Sequence, residues 1–269
     1  MIYCSRTVKN LFGKDFRLTN MKDILDLHTH TIMSGHAYNT LYEMLHSASE
    51  KGVKLLGVTE HAPGIPGACH PFYFINLRVV PREIYGVRLL LGCELNITDY
   101  TGALDLKPGY CRQLDFAIAS IHDPCYDNGT VSQNTAAYLG AMKDPRVQII
   151  GHPDDGRFPI DYETLVCAAK EEQVLLEVNS SSLHPQSHRL HARENYITML
   201  ELCRRYHVPV ILDSDAHCEA DVGNHTRAHE LLKEMDFPEE LVVNSSIDKV
   251  TAFIPALRQE VATGGTGND

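Results

Sequence analysis

The chain has 269 residues, of which 43% are hydrophobic and 22% are charged, a composition typical of a folded globular protein. No apolar run approaches the ~20 residues that a helix needs to cross a bilayer, which argues against a membrane-spanning protein. The formal net charge of −11 argues against an extended nucleic-acid surface, because such surfaces concentrate Lys and Arg.

The two ends of the chain differ from its middle. Residues 1–22 are basic and lack the continuous apolar stretch of a secretory signal, so we expect an extension over residues 1–20. Residues 21–257 are expected to form a single domain, and residues 258–269 a disordered tail. The eight cysteines include no Cys-x-x-Cys pair, so we expect reduced thiols and a cytoplasmic protein.

Short apolar and β-branched runs recur along the chain and alternate with helical patterns. In chain order the runs are "ILDL", "KLLGVT", "VRLLLG", "LDFAIAS", "VQIIG", "VLLEVN" and "VPVILDS". Helical patterning is clearest in "TLYEMLHSASEKG", "DYETLVCAAKEEQ" and "NYITMLELCRRYH". Such alternation predicts parallel strands with right-handed crossovers, an α/β fold. We expect a (β/α)7 barrel of the TIM-like kind, with an eight-stranded barrel as the alternative if Leu241–Ser246 is a strand.

Polar side chains stand at the C-terminal end of every predicted strand, where barrels assemble their active sites. Asn179 follows the sixth strand, and the other strand ends supply imidazoles and carboxylates. The nine possible metal ligands are His28, His30, His36, His61, Glu94, His122, His152, Asp215 and His217.

A set of imidazoles and carboxylates without thiolates suits Zn, Mn or Fe. A catalytic site with one zinc ion uses about three protein ligands and a water molecule. The nine side chains exceed that number, so they predict two or three divalent metal ions.

Several of these positions allow another interpretation. His36 follows a glycine in a loop, and the alternative to a metal ligand is a capping or surface residue. Asp215 is alternatively a residue that orients His217. Glu94 lies in an apolar run, where an unpaired carboxylate would be costly, so a metal ion is its expected partner.

Five other histidines and one cysteine are not interpreted as metal ligands. His46 and His229 lie in helical stretches. His184, His188 and His191 have irregular spacing and are expected to form a mobile rim. Cys218 is discounted as a ligand because its side chain diverges from that of His217.

Six short motifs carry a resemblance to a known family: "DLHTHT", "TEH", the single glutamate of "LGCELN", "IHDP", "GHPD" and "SDAH". In this order they resemble the polymerase and histidinol phosphatase (PHP) superfamily. The likeness is greatest to its stand-alone bacterial phosphatases, runs from Ile24 to Ile254, and includes "SGHAYNT" and "FINLR". It implies a distorted (β/α)7 barrel with three divalent metal ions at the C-terminal mouth.

The resemblance also implies how the ligands are shared among the ions. The first ion takes His28, His30, Glu94 and Asp215, the second takes Glu94, His122 and His152, and the third takes His36, His61 and His217. One departure is visible, because the family's usual "TDH" reads "TEH" here. The longer side chain of Glu60 must therefore orient its partner differently.

The expected activity is hydrolysis of a small phosphate monoester. Metal-bound water becomes hydroxide near neutral pH and attacks phosphorus, so no protein nucleophile is needed. Glu94, Asp215 and His217 are the candidate catalytic residues. Arg78, Arg157 and His70 are candidates for binding the substrate, since arginine holds phosphate through paired hydrogen bonds, although a surface ion pair is an equal alternative for Arg78.

Three other functions fit the same residues. The first is a histidinol-phosphate phosphatase. The second is a phosphodiesterase or nuclease, against which the acidic charge counts only for extended nucleic acid. The third is a metal-binding scaffold that has lost catalysis.

Overall fold

The structure is a computed structural model that describes residues 23–258. The predicted extension over residues 1–20 lies outside the described residues, and so do residues 259–269 of the predicted tail. Between these limits the chain folds as alternating strands and helices.

Seven parallel strands form one sheet that closes almost completely into a barrel. They run in the order β1, β2, β4, β5, β6, β7, β8, and the short β3 (Glu83–Ile84) pairs antiparallel with the start of β4. All seven predicted strands are therefore confirmed. The barrel strands are β1 (Leu25–Asp26), β2 (Leu55–His61), β4 (Val87–Asn96), β5 (Ala117–Ser120), β6 (Val147–Ile150), β7 (Leu175–Asn179) and β8 (Val210–Asp213).

A layer of aliphatic side chains fills the lower part of the barrel. Each parallel strand contributes one residue to a single buried cluster, and residues after β8 close it from below. Because the strand period is two, the next inward positions lie one layer higher, at the level of Glu177 and Asp213. The strand residues of this layer are Leu25, Leu55, Leu90, Ile118, Ile149, Leu175 and Ile211.

The barrel has a seam between β8 and β1. The strand order begins at β1 and ends at β8. An isolated β-bridge between Thr29 and Ala216 joins the segments that follow these two strands. The Asn244 side chain spans the seam, since its Nδ2 donates to the carbonyls of Leu212 (2.6 Å) and Leu25 (3.4 Å). The segment Leu241–Ser246 thus forms helical turns and one bridge to β8 rather than an eighth barrel strand.

Helices cover the outside of the barrel, and three of them confirm the helical patterns of the sequence. Threonine caps start α1 and α3, where Thr40 and Thr130 each form a reciprocal capping box with the residue three positions on. The helices are α1 (Leu41–Lys51), α2 (Phe72–Asn76), α3 (Val131–Met142), α4 (Tyr162–Glu172), α5 (Ala192–Tyr206), α6 (Thr226–Glu234) and α7 (Ile247–Thr251).

Two further properties concern the described part of the chain. No helix between residues 23 and 258 is long and apolar enough to cross a lipid bilayer. The seven cysteines of this part are free thiols.

Candidate metal centre

The strand ends bring the predicted ligands together at one mouth of the barrel. His61 is the last residue of β2, and Glu94 lies near the end of β4. The others follow their strands within four residues, except His36, which lies in the longer loop after β1. The side chains form four overlapping groups of three, and the ligand atoms within each group lie within 4.8 Å of one another. These groups are His28, His30 and Glu94; His61, Glu94 and His122; His28, His152 and Asp215; and His30, His61 and His217.

Glu94 lies at the middle of the cluster and is fully buried. Its Oε2 is 3.4 Å from Nε2 of His28, 3.5 Å from Nε2 of His30 and 2.7 Å from Nδ1 of His61. Its Oε1 is 3.2 Å from Nε2 of His122 and 2.8 Å from Nε2 of His152. One carboxylate therefore faces imidazoles from five positions, the arrangement of a bridging ligand.

Asp215 forms a second centre opposite Glu94. Its Oδ1 lies 3.6 Å from Nε2 of His28 and 3.3 Å from Nε2 of His30. His36 joins the cluster through His217, since their Nε2 atoms are 3.1 Å apart. Every ligand that the sequence predicted is thus in contact with another member of the set.

Hydrogen bonds on the far side of three rings determine which nitrogen faces the mouth. Nδ1 of His28 lies 2.6 Å from Oε1 of Glu177, which as a carboxylate can only accept. Nδ1 of His122 lies 2.7 Å from Oδ1 of Asn96, and Nδ1 of His217 lies 2.9 Å from the Asp215 carbonyl. Each of these rings donates from Nδ1 and keeps a free lone pair on Nε2, as a metal ligand requires.

The same argument explains the "TEH" motif. Ser34 donates from Oγ to Oε2 of Glu60 at 2.6 Å, so this hydroxyl accepts from Nδ1 of His30 at 2.9 Å. Glu60 also accepts from the Thr31 hydroxyl and backbone amide. The longer carboxylate therefore acts on His30 through Ser34 and holds the loop that follows β1.

Buried atoms without hydrogen-bond partners converge on the mouth. They include Nε2 of His28, Nε2 of His30, Nδ1 of His61 and Oε2 of Glu94. Burial would raise the pKa of Glu94, but the surrounding imidazoles of His122, His28 and His61 hold it well below its usual value, so the carboxylate is ionised. Buried imidazole nitrogens and carboxylate oxygens that converge on one place are the ligand types of a zinc site, and these residues fit divalent metal ions.

Two of the ligands stand on an unusual backbone. His152 has φ of 29° and Asp215 has φ of 54°, both in the left-handed region that costs energy for residues other than glycine. The His152 amide is tied to Oε2 of Glu177 at 2.6 Å, which holds this turn in place. Strain of this kind is common where a side chain must be aimed precisely.

An open cleft of about 880 Å³ lies over the cluster. Residues from the loops after β2, β5, β6 and β7 line it, and His184 and His188 of the predicted rim are among them. Arg157 also lines the cleft, but Asp155 holds its guanidinium at 2.6 Å. Arg78 and His70 are exposed and are absent from the residues that line the cleft.

Sequence reasoning missed two charged residues of this site. Glu177 stands inside β7 and is fully buried. Arg189 reaches the cleft from the loop after β7, donating to Oγ of Ser182 at 2.5 Å and lying 3.4 Å from Oδ2 of Asp215. Glu177 could have been identified from the sequence, because it is a glutamate at an inward position of an apolar strand. No sequence pattern identified Arg189, which lies in a loop.

Comparisons with known proteins agree with this architecture. The PHP domain family matches residues 26–234. A probable phosphatase of Clostridium novyi is 45% identical over 234 residues, covering 87% of this chain and 95% of that protein. A probable phosphatase of Caldicellulosiruptor bescii is 45% identical over 230 residues, covering 86% and 95%.

Solved structures with a similar fold include a histidinol phosphatase. The histidinol phosphate phosphatase of Lactococcus lactis, crystallised with zinc, L-histidinol and phosphate, superimposes with a TM-score of 0.59. It covers 80% of this chain and 95% of its own, at 19% identity. At that identity the likeness concerns the fold.

Proposed function

Because the chain belongs to the PHP family and shares 45% identity with proteins named probable phosphatases, it is a phosphatase, and we propose that it hydrolyses phosphate monoesters at three divalent metal ions. Water adds its oxygen to phosphorus, the ester P–O bond breaks, and an alcohol and inorganic phosphate leave. The single observation that carries the proposal is the convergence of buried imidazoles on Glu94.

We assign the ligand sets that the family resemblance implies. His28, His30, Glu94 and Asp215 would hold one ion, and Glu94, His122 and His152 would hold a second. His36, His61 and His217 would hold a third, and the short contact between His36 and His217 supports this set. When bound, the ions activate water and offset the charge that develops on the phosphoryl group. Zinc, manganese and iron all suit these ligands.

Arg189 is the residue that we propose to bind the phosphate. Its side chain is only 11% exposed, and it is held over the mouth by Ser182 and Asp215. Buried guanidinium groups bind phosphate oxygens through strong charged hydrogen bonds. Arg157, by contrast, is more exposed and donates from Nε and Nη2 to Asp155.

The proposed catalytic residues act as correctly oriented metal ligands. Glu94 and Asp215 would supply carboxylate ligands to the ions, and the neighbouring imidazoles keep both carboxylates charged despite their burial. Burial would raise the pKa of Asp215, but His28, His30 and His217 hold it well below its usual value. His217 offers Nε2 because its Nδ1 is used by the Asp215 carbonyl.

The test combines metal analysis with a phosphate-release screen on the full chain. The substrates are sugar phosphates, nucleotides, histidinol phosphate, an aryl phosphate and an aryl phosphodiester. We expect at least three ions per chain, turnover of monoesters, and little turnover of the diester. His28→Ala should lose metal and activity together, while His46→Ala, an exposed histidine of α1, should retain both.

The other outcomes separate the alternative functions. Faster turnover of the diester would favour a phosphodiesterase. Full metal content without turnover of any substrate would favour a binding scaffold. Histidinol phosphate is included because the Lactococcus lactis neighbour binds histidinol and phosphate.

A further inference from the structure

A second cluster of metal-binding side chains lies outside the cleft. It consists of Asp23, His225 and His229, whose ligand atoms lie within 4.8 Å of one another. Asp23 precedes β1, and His225 directly precedes α6. His229 follows four residues later, so both imidazoles lie on the same side of α6.

The three side chains converge on one point. Oδ2 of Asp23 lies 2.7 Å from Nδ1 of His225 and 2.6 Å from Nε2 of His229. His225 is 1% exposed, Asp23 13% and His229 30%, so the cluster is largely shielded but open on the His229 side.

Two buried atoms of the cluster lack a hydrogen-bond partner. Oδ1 of Asp23 is one, and Nε2 of His225 is the other. The latter atom lies 3.6 Å from Oδ1 of Asp26. His225 thus has a carboxylate, Asp26, beside Nε2, and its Nδ1 faces Asp23, which His229 also contacts. A metal-bound histidine usually has a carboxylate beside the ring nitrogen that does not bind the metal.

We propose that Asp23, His225 and His229 bind one divalent transition-metal ion of the zinc class. His225 contributes Nδ1, His229 contributes Nε2, and Asp23 contributes its carboxylate. Two imidazoles and one carboxylate are a common set of protein ligands for zinc. Asp26 acts as a positioning residue whose charged carboxylate faces Nε2 of His225.

This site is separate from the cleft and has a structural role. Asp23 precedes His28 by five residues, roughly 16 Å along an extended chain. It lies next to the seam, where β1 and β8 share only one bridge beyond the strands. A metal ion here joins the entry of β1 to α6, which follows β8, and so holds the two sides of the seam together.

Without a metal, the same contacts form a hydrogen-bond network in which both imidazoles donate to Asp23. His229→Gln separates the two possibilities, because the glutamine amide still donates a hydrogen bond but is a poor zinc ligand. His46→Gln is the matched control, since His46 is an exposed helical histidine whose ring faces Glu50 at 3.7 Å.

The experiment measures zinc per chain after the full-length proteins are stripped with a chelator and reloaded from a zinc buffer. We expect His229→Gln to hold one zinc ion fewer than the wild type and His46→Gln to hold the same number. Phosphate release should be equal in all three proteins, because the ligands of the cleft are unchanged. Equal zinc content in His229→Gln and the wild type would overturn the proposal.

A second variant covers the case in which His229→Gln does not fold, as judged by circular dichroism. Asp23→Asn keeps an acceptor oxygen for the imidazoles but loses the negative charge. The loss of one zinc ion in this variant supports the site, and an unchanged zinc content contradicts it.

Discussion

Buried polar residues one step behind the cluster decide how its imidazoles point. Glu177 contacts Nδ1 of His28 and the amide of His152, two ligands from different strands. Asn96 accepts from Nδ1 of His122. The Asn96 side chain is itself oriented by Asp105, because its Nδ2 donates to Oδ2 of Asp105 at 2.7 Å. Replacing such partners typically lowers metal affinity 10- to 100-fold in metalloenzymes, because the ring is then free to rotate.

At the residue scale the two arginines Arg189 and Arg78 give opposite expectations. Arg189→Met should lower kcat/KM for monoesters by about 10- to 100-fold, the equivalent of one charged hydrogen bond to phosphate. Arg78→Met should leave kcat/KM unchanged, because Arg78 is exposed and outside the lining of the cleft. Steady-state kinetics on both variants measures this difference. A large loss in Arg78→Met alone would restore the expectation from the sequence and contradict the role of Arg189.

At the scale of elements, the loop after β1 depends on a close approach between two glycines. Gly35 has φ of 85°, and a Cβ atom there would lie 2.3 Å from the Gly67 carbonyl oxygen. This contact fixes the "SGHAYNT" loop, with His36, against the loop after β2. The backbone approach therefore helps to place a ligand of the third proposed ion.

We expect Gly35→Ala to lower both stability and metal content. Gly52→Ala is its control, because Gly52 has a similar φ of 81° but open space around the added Cβ. Both substitutions lose roughly 1 kcal/mol to the left-handed backbone, and only Gly35→Ala must also displace Gly67. Thermal unfolding and metal analysis test this. Equal effects in the two variants would show that the contact with Gly67 does not matter.

At the scale of the whole molecule, the cluster joins ligands from nearly every strand of the barrel. The buried carboxylate of Glu94 and the imidazoles of His28, His30 and His61 each have a side-chain atom that lacks a hydrogen-bond partner. Such groups are costly to bury unless they are neutralised, so we expect metal binding to stabilise the fold.

Removal of the metal ions should therefore lower the melting temperature substantially. A ligand present at 100 times its dissociation constant stabilises the fold by about 2.7 kcal/mol, which corresponds to a shift on the order of 5–10 °C for a domain of this size. Calorimetry with and without a chelator measures the shift. His28→Ala should respond less to the chelator than the wild type, and an equal response would place the stabilising ions elsewhere.

The sequence by itself determined the barrel and the ligand types. Strand alternation and helical spacing are local patterns, so the seven strands and the helices α1, α4 and α5 follow from short segments. Parallel strands deliver their C-terminal ends to the same mouth, and that rule alone brought His61, Glu94 and His152 together.

Only the tertiary structure decided which partner each polar side chain takes. Glu177 meets His28 across 149 positions of the chain, and Asp23 meets His229 across 206. Arg189 reaches the cleft, whereas Arg157 is held by Asp155. These choices depend on loop paths and on the packing of α6 beside the seam, and loop and packing geometry is not encoded in any local pattern.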